Sequence, residues 1–137
     1  IKLLLSSHMS FVYKRTMKFF TITILCIIFF SCRSEHDLAM ERGIHLYEMD
    51  DFSAAIAEFK YIIAELSSCA DNAENQKLLS EAHKKLALSY AKKGEESDEA
   101  QGIWYEKSLE EINKSIDLLP DEKKMTILER IKAKIKN

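Results

Sequence analysis

Apolar residues recur along most of this chain at the spacing of a helix face, and the recurrence becomes regular just after Ser34. Leu38, Met40, Ile44, Leu46 and Tyr47 form one stripe, which Asp50 and Asp51 break. Phe52, Ala55, Ile56, Phe59, Ile62, Ile63 and Leu66 form the next at i, i+3/i+4, i+7 spacing, with Asp51 suited to cap the helix they predict. After the polar stretch from Ser67 to Asn72, a third helix is predicted from about Glu74 to Lys93, with Leu78, Leu79, Ala82, Leu86, Ala87 and Tyr90 inward. Lys92-Lys93-Gly94 closes it on this reading, with cations in the last turn and a glycine just past the end. Glu95 to Gln101 is acidic and reads as a loop or a frayed first turn. Ile103, Trp104, Ser108, Leu109, Ile112, Ile116 and Leu119 predict a fourth helix that stops before Pro120. Asp121 to Lys136 places Ile127, Leu128, Ile131 and Ile135 along one side of a fifth. Five helices, short loops and no strand signal make an all-α domain. Three glycines and one proline in 137 residues agree, because a β fold needs many turns.

The stretch before that pattern has another character. Met17 to Cys32 reads MKFFTITILCIIFFSC: a basic start at Lys18, an uncharged run from Phe19 to Phe30, then Ser31-Cys32. The run is too short to cross a hydrocarbon core as a helix, which takes roughly 20 residues. It has the length of a secretory signal's apolar region. A cysteine directly after a small residue resembles the lipobox of bacterial lipoproteins, although Phe29-Phe30-Ser31 departs from the usual Leu-Ala-Gly-like triplet. The resemblance implies a signal peptide over 17–31, acylation of Cys32 as the mature N-terminus, and a short tether over 32–36. An uncleaved anchor or an ordinary secretory signal is the alternative. Position 1 is not a Met and a better start sits at Met17, so residues 1–16 read as an upstream extension, or as a genuine basic n-region with Lys14 and Arg15.

The remaining segment, 37–137, carries an internal echo. Gly43, Leu46, Ala55 and Phe59 in the first helix pair are answered by Leu86, Ala87, Tyr90, Ser108, Ile112 and Pro120 in the second. Both resemble the tetratricopeptide (TPR) pattern: a small residue three before a large one, then a small and a large residue four apart in the partner helix. Small side chains let the two helices of a hairpin cross closely. Gly43 and Ala55 are twelve apart but Ala87 and Ser108 twenty-one, and the excess of nine falls on Gly94 to Gly102 as a longer loop or a longer helix. The resemblance implies a short helical-hairpin solenoid of about two repeats, with the fifth helix as a C-terminal cap. It further implies a partner groove on the first helix of each pair: Asp37, Met40, Ile44 and Tyr47, then Glu81, Lys84, Leu88 and Lys92. Lys124, Ile127, Ile131 and Lys134 would continue it on the cap. The regular Lys/Asn set with which some TPR domains clamp a C-terminal carboxylate is not present.

Charge and chemistry narrow the reading. The chain has 20 Lys+Arg and 22 Asp+Glu, and its first 32 residues carry four basic groups and no acidic one. The rest is therefore left with an excess of six acidic groups, which opposes nucleic-acid binding. With Cys26 in the signal and Cys32 the lipid site, Cys69 stands alone with no disulfide to make, and is expected to be a small buried or half-buried thiol rather than a reactive one. His45 lies near Glu41 and Glu48, and His83 is on another helix. No metal-binding spacing accompanies them, so packing or solvent-exposed roles are expected and no metal or other cofactor. No nucleophile or phosphate-loop motif is present, and Glu95, Glu96, Asp98 and Glu99 read as a solvated charge run rather than a catalytic pair. The lysine-rich fifth helix reads as a solubilising cap, or as a surface for anionic lipid.

These observations together point to a membrane-anchored, non-catalytic interaction module of the bacterial cell envelope, binding a protein or peptide partner. The alternative is a structural component of an envelope or outer-membrane assembly. About three repeats are usually needed for a self-sufficient stack, so a homo-oligomer is also in view.

Overall fold

The computed structural model describes residues 35–136, and every regular element among them is helical. The helices are α1 over 35–48, α2 Phe52–Leu66, α3 Ala73–Glu96, α4 Gln101–Leu118 and α5 Glu122–Ile135. Asp37–Asn137 forms one compact unit. The segment 17–31 and Cys32 lie outside the described residues, and none of the described helices is long and apolar enough to cross a membrane.

Local chemistry accounts for the breaks. Asp50 adopts a left-handed conformation, φ 61°, after the end of α1. Its N–H reaches the Tyr47 carbonyl at 3.2 Å and that of Asp51 reaches Leu46 at 2.9 Å, which satisfies two of the carbonyls left over at a helix end. Asp51 then caps α2, its Oδ1 accepting from the Ala54 N–H at 3.0 Å. Asn72 does the same for α3 through Asn75 at 2.7 Å, and Asp121 for α5 through Lys123 at 2.8 Å. Leu119 is extended, as the residue before a proline must be, and α4 ends at Leu118.

Packing follows chain order: α2 lies on α3, α3 on α4 most extensively, and α4 on α5. Ala39, Met40, Ala55, Phe59, Ile62, Leu79, Ala82 and Leu86 form a core shared by α1, α2 and α3. Ala87, Ile112, Leu128 and Ile131 form a second where α3, α4 and α5 meet.

The α3–α4 hairpin corrects the expected ends of both helices. Gly94 does not terminate α3; it is buried inside it, and a Cβ there would stand 3.1 Å from the Tyr105 ring. The nine extra residues are mostly helix: α3 runs on to Glu96, α4 begins at Gln101, and only 97–100 connect them. Ser80, Ala87 and Gly94 recur every seventh residue on α3 and face α4 across a close contact. Ser80 Oγ donates to the Ser115 carbonyl at 2.7 Å and Ser115 Oγ donates to the Ser80 carbonyl at 2.6 Å. Ser108 Oγ donates to the Ala87 carbonyl at 2.6 Å. A hydroxyl reaches the opposite backbone only where two helices approach closely, so these bonds mark the seam. The inward face of α4 is accordingly Tyr105, Ser108, Ile112 and Ser115, all buried. Ile103 and Leu119, expected inward, are 59% and 45% exposed.

Candidate partner-binding face

The α1–α2 crossing rests on Gly43, where a Cβ would come within 2.6 Å of the Phe59 ring, and on fully buried Ala55. In the α3–α4 crossing Ala87 and Ser108 hold the corresponding places, with Leu86, Tyr90 and Ile112 buried around them. Leu46 is half-buried against the first core, and Pro120 is exposed just after α4.

The first helices of the hairpins carry the residues expected to face a partner. Ile44, Tyr47, Lys84 and Leu88 are half-buried and Lys92 is exposed. Met40 is different. It is only 8% exposed and belongs to the core with Ala82 and Leu86, because a large apolar side chain between neighbouring hairpins gains more from burial than from water contact. Asp37 is exposed and Glu81 half-buried, its carboxylate 2.6 Å from Lys84 Nζ.

One end of this face is electrostatically organised. Lys92 Nζ donates to Glu95 at 2.8 Å, and Lys134 of α5 reaches the other oxygen of the same carboxylate at 3.8 Å. The hydrogen bond from Lys92 holds the Glu95 carboxyl below its ordinary range and raises the Lys92 ammonium in return. Burial raises the Tyr47 phenol, and the charge of Lys92 is near enough to oppose that shift. Lys92, Glu95 and Lys134 thus join α3 to α5.

On the closing helix the expectation fails for Lys124. It is 3% exposed, with Nζ donating to Ser80 Oγ at 2.7 Å and to the Leu119 carbonyl at 2.6 Å. Burial pulls its pKa down. Instead of facing a partner, its ammonium satisfies the carbonyl end of α4 and ties α5 to the serine seam. Ile131 is likewise core, while Ile127 is half-buried and Lys134 exposed.

A second polar pair escaped the sequence reading. His83 and Glu111, from α3 and α4, meet at 2.6 Å with both side chains largely buried, and Lys114 joins Glu111 at 2.9 Å. Burial alone would raise the Glu111 carboxyl, but hydrogen bonds from His83 and Lys114 outweigh it and hold the pKa below the ordinary value. The two residues are 28 positions apart, and no local pattern links them. His45 is exposed on α1, and among the described residues no three His, Cys, Asp or Glu side chains gather to hold a metal. Cys69, expected buried or half-buried, is exposed in the α2–α3 connection.

Together these features define an all-α protein of antiparallel helical hairpins, with charged side chains of α3 and α5 paired at one end. Compared with models of known families, with curated proteins and with solved structures, the chain matches none.

Proposed function

We propose that this chain is a membrane-anchored, TPR-like interaction module of a bacterial cell envelope, holding a protein or peptide partner without catalysis of its own. The observation that carries the reading is the repeated crossing. Gly43 and Ala55 in one hairpin, and Ala87 bonded to Ser108 in the next, occupy corresponding places in the repeat-like pattern. Stacking such hairpins aligns their first helices, and an extended peptide or a helix fits a mixed apolar and charged face of that kind. Ile44, Tyr47, Lys84, Leu88 and Lys92 are the residues assigned to it. The anchor rests on the Ser31-Cys32 sequence alone.

Two measurements test the two halves separately. Expression from Met17 in a bacterial host, followed by mass analysis of the N-terminal peptide, should yield an acylated peptide beginning at Cys32. An unmodified terminus or a retained Met17 refutes the lipid anchor. A photo-crosslinking residue at Leu88 should capture one discrete envelope protein that the same probe at exposed Lys60 on α2 does not. Equal labelling from both positions refutes the assigned face.

A further inference from the structure

The exposed apolar side chains of the described residues are unevenly placed. Of seven large ones, Leu38, Met49, Met125 and Ile135 lie on α1, its following turn and α5, at 53%, 65%, 47% and 42% exposure. Single exposed apolar residues need no explanation, but these sit beside charges of opposite sign. On α1, Leu38, Glu41, His45 and Met49 fall at i, i+3, i+7 and i+11 and are all exposed, with Glu48 alongside. On α5, Met125, Lys132 and Lys136 fall at i, i+7 and i+11 and are also exposed. Over α1 and its turn, Asp37, Glu41, Glu48, Asp50 and Asp51 stand against Arg42, which is bonded to Glu58. Beyond Glu122, α5 and its C-cap carry five exposed basic residues and the single acidic Glu129; Lys132 pairs with Glu129 and Lys134 with Glu95, which leaves Lys123, Arg130 and Lys136 in excess. The outer face of α1 is therefore apolar and acidic, that of α5 apolar and basic.

We infer that this protein associates with copies of itself head to tail, the outer face of α1 in one copy seating on α5 of the next. Charge complementarity selects the occupant: the acidic body of a second copy offers α5 its counter-charge, and two like ends repel. The contact joins two different patches, so it is heterologous and does not close at a dimer. It uses Leu38, Glu41 and Met49, which are exposed, and its test reads the coupling of α1 to α5 directly, apart from any partner assigned to half-buried Ile44 and Tyr47.

The test uses the full chain in nonionic detergent, which shields the apolar run from Phe19 to Phe30. Equal amounts of unlabelled and nitrogen-15-labelled protein are mixed and treated with a zero-length carbodiimide, which couples a carboxylate only to a touching amine. Peptides joining Glu41 or Glu48 of one label to Lys132 or Lys136 of the other are expected, with a ladder extending past dimer. Their yield should fall roughly tenfold in high salt, the loss of two or three surface ion pairs. An Arg130→Glu, Lys132→Glu chain alone should lose the ladder, as should a Glu41→Lys, Glu48→Lys chain alone. Mixing the two reversed chains should restore coupling between them, which only folded and complementary partners can do. Absence of mixed-label α1–α5 peptides in the native chain overturns the inference. So does failure of the reversed pair to restore coupling, or binding of α5 to phosphatidylglycerol vesicles with no inter-copy coupling.

Discussion

A methyl group added at Gly43 would stand 2.6 Å from the Phe59 ring, and Phe59 is fully buried with nowhere to move. Overpacking of this kind costs about 1–3 kcal/mol, partly offset by roughly 1 kcal/mol of helix propensity. Gly43→Ala should therefore destabilise by about 1 kcal/mol net. Gly102, with nothing within 4 Å of a Cβ, should show the opposite sign, Gly102→Ala gaining up to about 1 kcal/mol in urea unfolding. Glu111 carries a pH signature. Its carboxyl is held below its ordinary range, so its share of stability is complete above about pH 4.3, the unfolded value, and is lost as pH falls through the lowered one. Glu111→Gln should cost about 2 kcal/mol at neutral pH, since bonds to a charged group are lost, and the gap to wild type should close as pH falls through the lowered value. Urea midpoints across that range measure both effects.

The elements are held by unlike means. The α3–α4 seam is built from serine hydroxyls and small side chains, which let two backbones approach and then bond across the gap. Attachment of α5 relies on Leu128, Ile131 and the buried Lys124 ammonium. Lys124→Ala removes both the aliphatic stem and the donors to Leu119 and Ser80, and should cost about 2–3 kcal/mol. Lys124→Met keeps the packing and removes a buried charge, so it should be tolerated better. Because burial lowers the Lys124 pKa, the unfolded chain holds its proton to higher pH than the folded one. This lysine's contribution therefore improves as pH rises from its lowered value towards about 10.4, a trend that Lys124→Met should abolish in alkaline unfolding curves.

At the scale of the whole molecule, contact is densest between α3 and α4 and thinner at α5, so opening should follow that order. Hydrogen exchange should be slowest in the middle of α3 and α4 and faster throughout α5. An α5 as protected as α3 would contradict this account. Much of the architecture could be read in the chain: the α2 stripe, the cap Asp51, and the stop before Pro120 are local signals, decided within a few residues. The small-residue pairs Gly43/Ala55 and Ala87/Ser108 were legible for the same reason, as spacing. Other features were not. Gly94 looks like a helix end until Tyr105 is seen against it, and a glycine's two uses, terminating a helix and admitting a neighbour, differ only in what lies opposite. On α4 the sequence pattern held Ser108 and Ile112 but not the equally buried Tyr105 and Ser115, and the burial of a serine depends on acceptors in another helix. Lys124 and the His83–Glu111 pair are charged groups whose burial is made tolerable by partners far away in sequence. By itself, then, the sequence determined the helical class, the number of helices and most of their boundaries, because these follow from periodicity and capping along one strand of chain. Only the tertiary structure decided which polar residues are buried and which apolar ones face water, because desolvation is settled by what packs opposite.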